Sequence, residues 1–291
     1  MKKCAFLTLD ERGDYVIDDE HAIGPLEQLG WCVSTLSWRQ TELPWSAFDA
    51  VIVRSTWDYW NDVPAFLETL RRIDTETQLA NPLDIIQWNL EKTYLVDLES
   101  KGIAIVPTVW PDSVNAGSFR GFRSELGTDE LVIKPVVGAN GEDAFRVSAG
   151  DSTARLEQVC SRFRKKRGMV QTFMPGILEE GEYSLFFFNG EFSHAILKIP
   201  KGSEFRSQEE HGSEIHPVTP NSRLLLRGKQ ALHALSVVPL YARVDFVRDE
   251  HADYAVMELE LIEPSMYLRT DPGAASRFAG AIDDRFALSS R

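Results

Sequence analysis

Cysteine is scarce in this sequence: Cys4, Cys32 and Cys160 are all it has among 291 residues, far apart and with no Cys-x-x-Cys pair. They read as reduced core thiols. Long apolar runs are lacking as well. No stretch approaches the roughly 20 residues a membrane helix needs, and the apolar segment after Met1-Lys2-Lys3 stops at Asp10-Glu11-Arg12, short of a signal h-region. The expectation is a cytoplasmic protein with no membrane partner. Positive charge is in deficit, since 31 Lys and Arg against 44 Asp and Glu leave a formal charge of -13. A polyanion is repelled at distance, which argues against nucleic acid, although a small anion can still enter a locally basic cleft. The familiar phosphate-binding signatures are missing too: there is no G-x-x-x-x-G-K-[ST], no G-x-G-x-x-G after a strand and no H-R-D.

What is present is an ordinary globular composition, 43% hydrophobic and 26% charged, in a chain long enough for two or three modules around a cleft. The first stretch alternates. Strands are expected over Lys3–Leu9, Trp31–Trp38 and Asp49–Arg54, helices over Glu20–Leu29 and Val63–Ile73, and a short strand ending at Asn81-Pro82. This β/α order indicates a parallel sheet. A helix over Glu91–Ser100 opens a different pattern: strand Leu131–Pro135, the loop Gly138-Ala139-Asn140-Gly141, strand Ala144–Val147, helix Thr153–Arg164 and strand Met169–Phe173. Asn189-Gly190 between Glu182–Phe188 and Glu191–Ile199 supplies the positive φ angles of a type I′ hairpin. Lys201–Pro217 is polar and reads as a long loop, followed by a helix over Ser222–Leu235, strands over Tyr241–Arg248 and Tyr254–Ile262, and a helical tail.

The last strand pair carries the strongest chemical signal. A two-residue period puts Glu258 and Glu260 on one face, roughly 7 Å apart, and Tyr241, Arg243 and Asp245 on one face of the strand before. If the strands pair, three carboxylates meet one arginine and repel one another unless a cation sits among them. Carboxylate-only ligation favours Mg²⁺ or Mn²⁺ over zinc; the bland alternative is a solvated hairpin face. A second signal is cationic. Lys134 interrupts an apolar strand just before Pro135 and the glycine loop, where an ammonium and free backbone N–H groups can meet one phosphate. Lys92, at the start of its expected helix, needs an anionic partner there. For either lysine the plain alternative is an exposed side chain.

These residues resemble the ATP-grasp superfamily over nearly the whole chain, in particular the branch with bacterial glutathione synthetase, the ribosomal-protein glutamate ligase and a cycloserine-forming cyclo-ligase acting on O-ureido-D-serine. The resemblance implies an α/β protein of α+β modules: an ATP-grasp fold behind an N-terminal parallel α/β domain. The implied division is 1–90 for the substrate side, 91–175 for the small ATP-grasp subdomain and 176–291 for the metal-bearing one. It further implies that Lys134 and Gly138, with Lys92, contact ATP phosphates, that Gln171, Thr172, Phe173 and Met174 line the adenine slot, and that Glu182 reaches the ribose. Arg206, in Glu204-Phe205-Arg206-Ser207-Gln208, resembles the arginine of the family's flexible segment and, with Arg243, is expected at the transferring phosphate. Asp245, Glu258 and Glu260 occupy the metal positions. Two departures stand out: Glu260 where asparagine is usual, and Gly212-Ser213 where the loop has paired glycines.

Val53-Arg54-Ser55-Thr56-Trp57-Asp58-Tyr59 ends a strand where open α/β sheets place ligands, and with Asn81-Pro82 and Trp88-Asn89 it resembles the cyclo-ligase type. Arg54 and Ser55, with Ser265, are the candidate substrate contacts; alternatively Arg54 pairs with Asp58, and Trp57 and Tyr59 are packing residues. The histidines lack metal spacing, and His211 is either a base or a solvated loop residue. The implied reaction is ATP-driven activation of a carboxylate as an acylphosphate, captured by an amine from a second substrate or the same molecule. Its competitors are a phosphotransferase without a joining step and a non-catalytic ATP-binding module. The candidate partners are a small amino-acid-like substrate and a second copy of the chain in a homodimer.

Overall fold

The computed structural model describes residues 1–40, 42–202 and 204–287. The first stretch runs β1 (Lys2–Thr8), α1 (Ile23–Gln28), β2 (Trp31–Ser37), β3 (Ala50–Ser55), α2 (Val63–Glu76) and β4 (Leu79–Ala80). The strands form a four-stranded sheet of order β2-β1-β3-β4, parallel throughout. Every residue of β3 is buried, as expected of a parallel strand covered on both faces. α2 starts where the Asp62 carboxylate accepts from the Ala65 N–H and turns Phe66, Leu70 and Ile73 inward at helical spacing. The helix expected from Glu20 is a 3-10 turn at Asp19–Ala22 followed by the short α1.

Two helices follow, α3 (Leu83–Asn89) and α4 (Tyr94–Ser100). α3 had no counterpart in the sequence-based expectation, because Asn81-Pro82 reads as the end of a strand; Pro82 is in fact the helix N-cap. Lys92 therefore lies in the turn before α4, two residues ahead of the helix it was expected to begin.

The middle stretch comprises β5 (Thr108–Val109), α5 (Phe119–Leu126), β6 (Leu131–Pro135), β7 (Phe145–Val147), α6 (Thr153–Ser161) and β8 (Gly168–Thr172). Its antiparallel sheet has the order β5-β8-β6-β7. Then come α7 (Gly176–Glu179), β9 (Glu182–Phe188), β10 (Glu191–Ile199), β11 (Glu214–Pro217), α8 (Ser222–His233), β12 (Tyr241–Arg248), β13 (Tyr254–Glu260) and α9 (Ala274–Ala287). The five strands form one antiparallel sheet, β11-β10-β9-β12-β13. Asn189 and Gly190 take φ 47° and 80° at the β9–β10 turn. The segment expected to be all loop holds a 3-10 turn at Glu209–His211 and the edge strand β11, paired with β10 from Ile196↔Pro217 to Ile199↔Glu214.

The first and last sheets share a core. One apolar cluster joins Phe6 and Ile52 of the parallel sheet to Phe186, Phe188 and Tyr241 of the antiparallel one, with Phe278 of α9 between them. Two asparagines stitch the same boundary by imitating strand pairing. Asn89 donates to the Leu259 carbonyl and accepts from the Leu261 N–H, both at 2.8 Å, along the free edge of β13. Asn81 donates to the carbonyls of Tyr241 and Leu261 and accepts from the Leu240 N–H. Among the described residues, no helix is long and apolar enough to cross a membrane.

Candidate active site

The two antiparallel sheets and the segments leading out of the parallel sheet line one cavity, whose lining includes Lys92, Lys134, Gly138, Gln171, Thr172, Phe173, Met174, Glu182, Arg206, Arg243, Asp245, Glu258, Glu260 and Ser265. Residues more than 170 positions apart are thus brought together. At one end the glycine loop leaves β6. Lys134 sits at the mouth of that loop and has no hydrogen-bond or ion-pair partner among the described residues. Burial holds its ammonium below the usual lysine value, against the pull of Glu258 and helped by repulsion from Lys92. Lys92 differs: it donates to the Gly138 carbonyl at 2.7 Å and pairs with Glu258 at 2.8 Å, so its pKa is raised although burial opposes its charge. A Cβ at Gly138 would lie 2.9 Å from the Pro135 ring, which explains glycine there.

Along β8, Gln171 donates to the Thr108 hydroxyl at 2.9 Å, while the buried Thr172 hydroxyl has no partner. Arg146 covers the Phe173 ring at 3.7 Å, and Phe205 meets that ring edge-on at 6.4 Å between centroids. Glu182 accepts from the Lys198 ammonium at 2.8 Å and from the Ser207 hydroxyl. Arg206 is held by both carboxylate oxygens of Glu204, whose pKa the arginine brings down to about 2. The loop is fastened over the cavity: His211 Nε2 lies 3.2 Å from the Asn140 carbonyl, and Arg269 links Glu209 to Asp18 of the first stretch.

β12 and β13 pair with Arg243 opposite Glu260 and Asp245 opposite Glu258, so the expected acidic face forms. A register shift after Asp245 also brings Met257, expected on the opposite face, into the cavity lining. The expected repelling trio with a single compensating base is not what forms, however. Arg243 bonds Asp245 through Nε and Nη2 and reaches Glu260, Lys92 takes Glu258, and Lys198 lies 3.6 Å from Asp245. Among the described residues, no group of three or more His, Cys, Asp or Glu is arranged as a metal cage. Two of the compensating cations, Lys92 and Lys198, come from the α3–α4 turn and from β10, elements the two-strand pattern says nothing about. Asp245 and Glu258 are both held below the usual carboxylate range, burial opposing and the neighbouring cations prevailing. Glu260 rises to about 7 through burial, partly offset by Arg243 and augmented by Glu258 and Asp245. Crowded oxygen donors of this kind suit Mg²⁺, which takes one or two carboxylates and completes its shell with phosphates and water.

Two candidate substrate contacts are not in the cavity. Arg54 is fully buried; it bonds Asp19 at 2.9 Å and the carbonyls of Pro264 at 2.8 Å and Val53 at 3.3 Å, under Tyr241 and Phe278. Asp58, its expected alternative partner, is taken by Arg39 and Trp38. The Ser55 hydroxyl faces Thr8 at 2.8 Å. The sheet end is covered by α9 and the segment after β13, neither of which the local strand pattern anticipates. Ser265 does line the cavity. So do Lys198, Glu263 and Tyr267, which sequence reasoning missed, and Trp57 and Tyr59, for which packing was the alternative. Lys198 had a usable signal, since like Lys134 it interrupts an apolar strand.

The N-terminal part, residues 4–81, matches the family model described as D-cycloserine synthetase DcsG, N-terminal domain, and residues 104–227 match that of the prokaryotic glutathione synthetase ATP-grasp domain. The chain thus has the ATP-grasp fold behind an N-terminal parallel α/β domain and is similar to ATP-grasp ligases. It is 29% identical over 271 residues to the cycloserine biosynthesis protein DcsG of Streptomyces lavendulae, covering 88% of this chain and 90% of that one. The crystal structure of D-cycloserine synthetase DcsG superposes with a TM-score of 0.84 at 26% identity, covering 98% and 99%. The ATP-grasp ligase PsnB, solved with a minimal precursor, Mg and ADP, shares the fold at 15% identity, TM-score 0.65 and 98% coverage of both chains.

Proposed function

We propose that the chain is an ATP- and Mg²⁺-dependent ligase that activates the carboxylate of a small amino-acid-like substrate as an acylphosphate and joins it to an amine, releasing ADP and phosphate. The observation that carries this is the convergence on one cavity of Lys134, which has no partner of its own, the glycine loop and the Asp245/Glu258 pair. An unpaired ammonium in a partly dry cavity is unfavourable until an anion arrives, and the loop beside it presents backbone to a phosphate.

In this mechanism Lys134 and Lys92 hold the phosphates, and Gln171, Thr172, Phe173 and Met174 bound the adenine, with the unsatisfied Thr172 hydroxyl available to it. Glu182 exchanges the Ser207 hydroxyl for the ribose. Asp245, Glu258 and Glu260 would hold Mg²⁺, which when bound offsets phosphate charge. Arg206 and Arg243 draw negative charge from the group in transfer, a preorganised effect strongest where water is excluded. The fastened loop keeps water from the acylphosphate. Ser265 faces the acceptor end; Arg54 acts one step back, fixing the neighbouring Pro264 carbonyl. Since likeness to DcsG extends through the N-terminal part, ring closure within one substrate is the form of joining this proposal favours, and with ATP as substrate it places the enzyme in the cytoplasm.

The test is phosphorus NMR with ATP, Mg²⁺ and a pool of amino acids, ureido-amino acids and short peptides. Substrate-dependent ADP and phosphate, abolished by chelating Mg²⁺, are expected. AMP with pyrophosphate would replace the acylphosphate by an adenylate, and a stable new phosphoryl compound would make the protein a phosphotransferase.

A further inference from the structure

Apart from the exposed Glu142 and Glu210, the charges lining the cavity are matched almost one to one. Glu182 has Lys198, Asp245 and Glu260 share Arg243, and Glu258 has Lys92. Two groups are left over. Lys134, at the glycine-loop end, is the cation without a partner, and ATP phosphates answer it. Glu263, just beyond β13, is the acid without one: 8% exposed, it lines the cavity and has no ion-pair partner among the described residues. Its side chain is hydrogen-bonded by the Tyr59 hydroxyl, and Lys92 acts on it only at longer range.

The protein fixes this acid in place. Trp57 donates to the Glu263 carbonyl at 2.8 Å, Arg54 to that of Pro264 at 2.8 Å, Arg243 to that of Ser265 at 3.2 Å and His194 to that of Met266 at 3.0 Å. Four donors from three separate places in the chain thus hold four successive carbonyls. The backbone that carries this buried carboxyl is thus pinned along four residues. Burial, with repulsion from Glu260 and Glu258, pushes it up to about 8, so its surroundings favour the neutral form and a cationic guest would reverse that preference. A buried carboxyl without a cation is costly to ionise, and a matching charge on a ligand recovers the interaction.

We propose that Glu263, braced by Tyr59, is the seat for the ammonium group of an amino-acid substrate, and so selects acids carrying a free amino group over otherwise identical acids lacking it. The inference rests on the ligase assignment above and deepens it by naming the substrate feature that is read. Lys134 and Glu263 would then orient the reactants, nucleotide phosphate toward one and substrate ammonium toward the other, with the substrate carboxylate between.

The experiment is calorimetric binding to the full chain in Mg²⁺ and a non-hydrolysable ATP analogue. The probes are serine, alanine, 2,3-diaminopropionate and O-ureidoserine of either hand, each paired with its des-amino analogue. At least one ammonium form should bind about 30-fold or more tighter than its analogue, as expected when a buried charge pair is broken. Glu263→Gln should erase that difference and Glu263→Asp restore part of it, while affinity for the ATP analogue stays within about two-fold, which also reports a folded protein. A difference that survives in Glu263→Gln overturns the proposal, as does equal binding of both forms, or binding of no ammonium form at all. ADP release by the wild type separates the two claims: turnover with des-amino acids leaves the ligase standing and removes only the role of Glu263, whereas no turnover with any acid removes both.

Discussion

Two lysines of similar sequence context do opposite things. Lys134 and Lys198 each interrupt an apolar strand, yet Lys134 has no partner among the described residues and Lys198 is buried between Glu182 and Asp245. Lys134→Met should therefore leave the melting temperature unchanged or higher while lowering ADP release by about a hundred-fold or more. Lys198→Met should cost about 3–5 kcal/mol in denaturant unfolding, because it strands two buried carboxylates. His194 supplies a pH dependence. Stacked on Phe186 and donating to the Met266 carbonyl, it is buried and its pKa falls from 6.5 to about 4. The unfolded chain thus takes up a proton near pH 6.5 that the folded one refuses, and stability drops as pH falls from there toward 4, by about 3 kcal/mol from this group. A Gln at this position should flatten that part of the stability–pH curve; an unchanged slope would assign it to other groups. At this scale the sequence was legible where a charge broke an apolar strand. It was misleading at Arg54, because burial by α9 and the 263–267 segment lies in no local pattern.

Elements were most legible where backbone chemistry is local. Asn189-Gly190 dictated the β9–β10 turn, and alternation in β12 and β13 put Arg243, Asp245, Glu258 and Glu260 on one face. α3 and β11 were not legible: a proline that ends one element also begins the next, and the partner that makes Glu214–Pro217 a strand is β10, not its own sequence. The asparagines of the α3 region act as substitute strand edge. Removing Asn89 leaves the Leu259 carbonyl and the Leu261 N–H unsatisfied, so Asn89→Ala should destabilise by about 2–4 kcal/mol, read by chemical denaturation. In the glycine loop after β6, Gly141 has φ +65° and a Cβ there would stand 2.9 Å from Gln208 Oε1. Gly141→Ala should weaken ATP binding several-fold, by shifting both the loop and the strap above it, with little loss of global stability.

On the scale of the whole molecule, the segments leading out of the parallel sheet, the small antiparallel sheet and the large one each contribute a wall that is incomplete alone. The shared core of Phe6, Phe188 and Phe278 and the edge bonds of Asn81 and Asn89 set the first wall against the third. This juxtaposition was the least legible feature, since no window of sequence records which sheet faces which; only the resemblance to ATP-grasp ligases pointed to it. It is also what the proposed acylphosphate route requires, because the groups proposed to meet nucleotide, metal and acceptor come from different parts of the chain. The most direct test supplies carboxylate-¹⁸O-labelled substrates with ATP and Mg²⁺ and follows the isotope by phosphorus NMR. Transfer of one ¹⁸O into inorganic phosphate alongside ADP is the predicted result. Unlabelled phosphate, or ¹⁸O appearing in AMP, would contradict it.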